Sequence, residues 1–202
     1  MELDPLELRP SLVYQHLIRV IVPRPIAWVS TISGGGTTNL APFSFFSGVG
    51  SRPPSLLFCP ANQRDGSPKD TLRNINETGE FVVNVVTRAD AEIMNQTSEA
   101  LPSDESEIDR FHVPTSSSHA VRPPRVTSAP VQLECRLMQH IPLDEGPGGA
   151  NIVIGSIVWM HFRDDVLSED GFVDESLLQA VGRLGGAAFC ETDKSFTIPR
   201  PA

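Results

Sequence analysis

Three stretches of the chain carry side chains whose types and spacing suit chemistry on a bound small molecule. Ser67-Pro68-Lys69-Asp70-Thr71 joins a capping serine, a proline for a first helical position and an acid in the first turn. A helix starting there turns unpaired backbone N–H groups and its positive dipole end outward. Lys69 and Thr71 add a charge and a hydroxyl, which together make an anion seat. Taken alone, the same residues also read as a well-capped helix with a solvated lysine. Ser30-Thr31 places two hydroxyls at a strand end, which suit a phosphate, although such residues are common beside hairpins. In Asn39-Leu40-Ala41-Pro42-Phe43-Ser44-Phe45-Phe46, proline and small residues leave backbone polar groups accessible while three phenylalanines offer flat apolar surface. A planar heteroaromatic with hydrogen-bonding edges needs both, and a core-lining loop would use the same residues.

Other candidates are weaker. His112 and His119 have no carboxylate or cysteine partner at ligand spacing, so a zinc site is not expected. His16 and His140 read as ordinary helix or strand residues, while His161, close behind Trp159 in a long strand, is the one that could face a ligand. Cys59, Cys135 and Cys190 are odd in number and far apart, with no C-x-x-C, and read as buried free thiols. The chain contains no G-x-G-x-x-G between strand and helix, no P-loop, no H-E-x-x-H and no G-x-S-x-G. Dinucleotide folds, P-loop enzymes, zincins and α/β-hydrolases are disfavoured accordingly. No side chain stands out as a catalytic acid or base.

The elements that must position these residues are mostly strands. Residues 26–32 are β-branched and aromatic, and a Ser33-Gly34-Gly35-Gly36 turn precedes extended character from Asn39, which reads as a hairpin. Residues 55–59 and 81–86 are further short strands, and residues 131–141 and 152–162 flank a Gly/Pro turn as a long hairpin. Three helices are inserted among them. One is capped by Ser11, carries Leu12, Val13, Leu17 and Val20, and ends at Pro23 and Pro25. Another spans 68–77 and stops at Gly79, and a third starts at Thr87-Arg88-Ala89-Asp90. The pattern predicts an all-β dominated fold, an antiparallel barrel with accessory helices, with a βαβ wind as the second choice.

At 202 residues and 40% hydrophobic composition, the chain suits one domain, residues 1–202, with a sizeable core. Its net charge of −9 argues against nucleic acid as a partner. Residues 89–118 hold seven acids and one base, and the polar stretch 95–128 is too long for an ordinary connection. A flap pinned by Leu101, Ile108, Phe111 and Val113 is expected there, a disordered loop being the alternative. No stretch suits a membrane helix and the acidic start is unlike a signal peptide, so the expected location is cytoplasmic, with no membrane partner.

The motifs Pro23-Arg24-Pro25-Ile26-Ala27-Trp28-Val29-Ser30-Thr31, Asn39 to Phe46, Lys69-Asp70-Thr71 with Asn74-Ile75, and Thr78-Gly79-Glu80-Phe81-Val82-Val83-Asn84 stand in one order and spacing. Together they resemble the flavin reductase-like FMN-binding split-barrel family. The resemblance is strongest over residues 12–98 and returns at Ile154-Gly155, His161 and Gly182-Arg183-Leu184-Gly185-Gly186. It implies a six-stranded antiparallel split β-barrel of the FMN-binding type, forming a homodimer with FMN near the interface. Ser30, Thr31, Lys69, Asp70 and Thr71 would surround the phosphate and ribityl chain. Asn39, Ala41, Pro42, Phe43, Ser44, Phe45 and Phe46 would line the isoalloxazine. Phe43 and Phe189 stand where many relatives carry tyrosine. The implied activity is an oxidoreductase in which NAD(P)H reduces FMN and electrons pass to a small-molecule acceptor, a flavin, oxygen or a partner flavoprotein. A non-enzymatic FMN electron carrier and a flavin-dependent oxygenase acting on a small organic substrate are the alternatives.

Overall fold

The computed structural model describes residues 1–201. Helix α1 (Pro10–Val20) begins with Pro10 in its first turn and Arg9 at the cap, so Ser11 lies inside the helix and caps nothing. The Arg24 guanidinium donates to the carbonyls of Ile18 and Ile21, 2.7 Å each, closing the far end of α1. Strands β1 (Ala27–Ile32) and β2 (Thr38–Phe43) form the expected hairpin, pairing Ala27 with Phe43 through to Ile32 with Thr38. A second hairpin, β3 (Phe46–Ser51) and β4 (Pro54–Phe58), follows immediately. Helix α2 (Asp70–Thr78) ends where Gly79 adopts φ 73°, a left-handed conformation that glycine tolerates, and leads into β5 (Glu80–Val85).

Short elements fill the polar middle of the chain: α3 (Ala91–Gln96), α4 (Glu107–Arg110), β6 (Thr115–Ser116) and β7 (Arg125–Val126). The long hairpin β8 (Val131–Pro142) and β9 (Asn151–Phe162) is as expected. Helix α5 (Glu175–Leu178) and the small hairpin β10 (Val181–Arg183) and β11 (Phe189–Glu191) end the regular structure.

The main sheet runs β2-β1-β5-β8-β9-β4-β3 with every pairing antiparallel, so it has seven strands where six were expected. The unforeseen strand is β3, whose Gly48 and Gly50 are poor strand formers. Only Ser44 and Phe45 separate the two edge strands β2 and β3 in the chain. That short link forces the sheet to curl until its edges approach, without joining them in one ladder. The βαβ alternative fails because, among the described residues, no strand pair is parallel.

Period-two alternation along β1 then creates two cores. Ala27 and Val29 point into the curl, against Phe43, Phe58, Phe81, Val83 and Val153, and α2 seals this cluster with Leu72 and Ile75. Trp28 points the other way, against Leu40, Val86, Met94, Ile108, Val113 and Val126. The middle segment is thereby anchored to the outer face of the sheet. Ile108 and Val113 are its buried pins, while Leu101 and Phe111 are half-buried. Trp28 Nε1–H donates to Thr97 Oγ1 at 2.9 Å, and Asn84 Oδ1 accepts from Val126 N–H at 2.8 Å. Farther along, the fully buried Glu134 carboxylate accepts from the N–H groups of His119, Ala120 and Val121.

Candidate functional site

A cleft of about 600 Å³ opens where β2, the start of α2 and the middle segment meet. Asn39, Ala41 and Pro42 form its wall from β2, and Lys69, Asp70 and Thr71 form its wall from α2. Two stretches some thirty residues apart in sequence thus converge on one space, and Asn39 Nδ2 donates to Thr71 Oγ1 at 2.8 Å to hold them together. The volume lies within the roughly 300–1,000 Å³ usual for cofactor sites.

The helix end facing the cleft is open. Lys69 occupies the cap position in an extended conformation and, among the described residues, no side chain caps the first amides of α2. Ser67, expected to be the cap, is instead turned back on Asp65, donating its hydroxyl at 2.6 Å and its N–H at 2.9 Å to Asp65 Oδ1. The helix therefore starts at Asp70, two residues later than expected, with its amides free for a ligand. Among the described residues no carboxylate pairs with Lys69, whereas Asp70 is engaged by Arg73 at 2.5 Å.

Six of the expected residues do not line the cleft. Ser30 and Thr31 are completely buried, because β1 carries a core on each face. Ser30 Oγ donates to the Pro124 carbonyl at 2.5 Å and Thr31 Oγ1 accepts from Asn74 Nδ2 at 3.1 Å. They lie on the strand behind Asn39, which pairs in register with Thr31. Phe43 belongs to the inner core, its ring 5.1 Å from that of Phe58. Ser44 accepts from Arg24 Nε at 3.3 Å, and Phe45 lies under the Arg24 guanidinium and edge-on to Tyr14. Phe46 packs half-buried against the inner core.

The sequence gives little notice of the remaining walls. Asn62, Gln63, Arg64 and Asp65 come from the loop before α2, and residues 97–101 and Glu107 come from the middle segment. Glu107 is 5% exposed. Its Oε2 accepts from Leu40 N–H at 2.9 Å, satisfying an amide on the edge strand β2. Burial pushes its carboxyl above the ordinary range and Asp70 adds to this, only partly opposed by the Leu40 amide.

His161 does not reach the cleft, since its Nε2 lies 2.6 Å from Glu134 Oε1. Burial works against ionisation of Glu134, but the His119 amide, His161 and the Ala120 amide outweigh it and hold the carboxyl below its usual range. Arg183 stacks on Phe189 at 4.3 Å and, with Arg88, lines a separate hollow of about 640 Å³ between α3 and the β10–β11 hairpin. The three cysteines are free, and burial pushes the thiols of Cys135 and Cys59 up, away from reactive thiolate. Among the described residues there is no cluster suited to a metal ion and no helix long and apolar enough to cross a membrane.

A family model described as the flavin reductase like domain matches residues 19–183. The chain belongs to this family. It is 40% identical over 192 residues to an uncharacterized protein of Bacillus subtilis, YwrF, covering 94% of this chain and 93% of that one. Among solved structures it is similar to nitrilotriacetate monooxygenase component B from Bacillus cereus, with TM-score 0.93, 30% identity and 98% of each chain covered. It is also similar to the 2-nitrobenzoate 2-nitroreductase NbaA of Pseudomonas fluorescens, with TM-score 0.89, 31% identity, and 100% and 96% covered. The curled seven-stranded sheet is the split barrel of flavin reductase-like proteins.

Proposed function

We propose that the protein is an FMN-binding oxidoreductase whose flavin is reduced by NAD(P)H and passes electrons to a small-molecule acceptor or partner flavoprotein. The observation that carries this reading is the convergence of the β2 wall and the open α2 terminus on one cofactor-sized cleft. The donor set fits a phosphorylated flavin. Lys69 and the first amides of α2 suit the phosphate, while the Asn39–Thr71 pair and residues 97–101 offer polar groups to a polyol chain. The compact seat favours FMN over FAD.

When bound, the flavin supplies the hydride and electron transfer chemistry, and the protein binds it, orients it and limits water. Ala41 and Pro42 give a rigid apolar wall beside the polar end. The segment 95–128 acts as a flap over this cleft, within a single domain spanning residues 1–202. The three free cysteines suit a cytoplasmic setting. Likeness to a monooxygenase component and a nitroreductase supports electron transfer in general without naming the acceptor.

Stopped-flow mixing of the FMN-loaded protein with NADH and with NADPH tests the proposal. Bleaching of the flavin by at least one nicotinamide, faster than with free FMN, is the expected result. Flavin that is photoreducible yet inert to both would identify an electron carrier instead.

A further inference from the structure

The cleft that offers Lys69 and the open α2 terminus to a phosphate also carries more acids than bases. Arg64 and Lys69 are its cations, while Asp65, Asp70, Glu99 and Glu107 are its acids. Asp70 is compensated by Arg73, and hydrogen bonds from Ser67 hold exposed Asp65 ionised. Glu107 is different. It is buried, it pairs with no cation among the described residues, and its only cross-element hydrogen bond comes from the Leu40 amide. The charged groups that line the cleft with it are Lys69 at the α2 cap and Asp70 on α2, Arg64 and Asp65 from the loop before it, and Glu99 from the middle segment. Strand β2 contributes only the neutral Asn39, Leu40 and Ala41, and on α4 itself Asp109 and Arg110 are exposed.

We propose that Glu107 takes up a proton when the phosphorylated flavin binds, so that it makes the preference of the cleft for FMN over riboflavin depend on pH. A dianion entering beside a buried carboxylate raises the cost of keeping that carboxylate charged. Loss of charge at Glu107 also costs the fold little. Burial already lifts its carboxyl above the ordinary range, and Asp70 lifts it further. The neutral acid still accepts from Leu40 N–H through one oxygen, so β2 keeps its place while the other oxygen can donate. Riboflavin shares the ring and polyol but brings no phosphate, and makes no such demand. The inference rests on FMN occupying this cleft.

Calorimetric titrations with FMN and riboflavin, in buffers of different ionisation enthalpy between pH 5.5 and 8.5, count the protons taken up. The wild type should take up more protons with FMN than the Glu107→Gln variant, and the two should match with riboflavin. The ratio of FMN to riboflavin affinity should fall with rising pH by up to about tenfold per pH unit beyond the trend set by the phosphate itself, and Glu107→Gln should remove that excess. Equal proton uptake by both proteins overturns the inference while leaving the FMN site intact. Failure of either flavin to bind the wild type overturns the cofactor reading, and the inference with it. Carboxyl NMR of labelled wild-type protein needs no variant. The Glu107 titration should move to higher pH on adding FMN but not riboflavin, and an unmoved titration contradicts the proposal.

Discussion

Among single residues, the sequence signals best those whose polar types sit at a helix start. Lys69, Asp70 and Thr71 are legible because an N-terminus always leaves amides to satisfy. Glu107 is not, because a one-turn helix in a polar stretch gives no periodicity, and its partner Leu40 lies 67 residues away. The burial of Ser30 and Thr31 is hidden for the opposite reason: hydroxyls at a strand end look available until a second core covers the strand. Glu134 is likewise silent in sequence, although it ties the middle segment to β8. Its carboxyl lies below its ordinary value of 4.5, so its contribution is present above that value and is lost as pH falls through the lower folded value. Glu134→Gln should therefore cost about 1.5–3 kcal/mol at neutral pH, the worth of hydrogen bonds to a charged group. Urea unfolding should show that gap narrowing in acid, and a gap independent of pH would contradict the assignment.

At the scale of elements, the β1–β2 and β8–β9 hairpins and the stop of α2 are read correctly because their turn residues act locally. Gly79 ends α2 as expected, and the β8–β9 hairpin is found within a residue or two. Strand β3 is missed because its glycines deny it propensity, its place being assigned by pairing with β4 and the two-residue link from β2. The cap of α2 is misplaced because Asp65 competes for Ser67 with a tighter local turn. Gly155 on β9 shows how closely the barrel is filled. A methyl group there would collide with the Phe81 ring and come within 3.4 Å of Cys135 Cβ. Gly155→Ala should destabilise the fold by about 1–3 kcal/mol through overpacking, read as a lower denaturation midpoint with unchanged slope. An unchanged midpoint would mean that Phe81 has room to move.

At the scale of the whole molecule, the barrel is legible from the strand pattern, while pairing with a second copy is an expectation that the resemblance carries. Leu12, Tyr14, Leu17, Val20 and Ile21 leave α1 with an exposed apolar face, and Val49 does the same on β3. A two-fold dimer would cover such surface, so light scattering at micromolar concentration should give twice the 22.0 kDa chain mass. A monomer that still holds flavin firmly would contradict a cofactor bound near an interface. The central claim, that FMN lies between β2 and the open end of α2, is tested most directly by hydrogen exchange across the whole chain with and without saturating FMN. Bound flavin should slow exchange in peptides covering residues 66–74 and 97–107, and Lys69→Ala should weaken FMN about tenfold or more while weakening riboflavin less. Firm FMN binding that leaves both peptides unchanged, with protection confined to the hollow between α3 and the β10–β11 hairpin, would place the cofactor elsewhere and contradict the account.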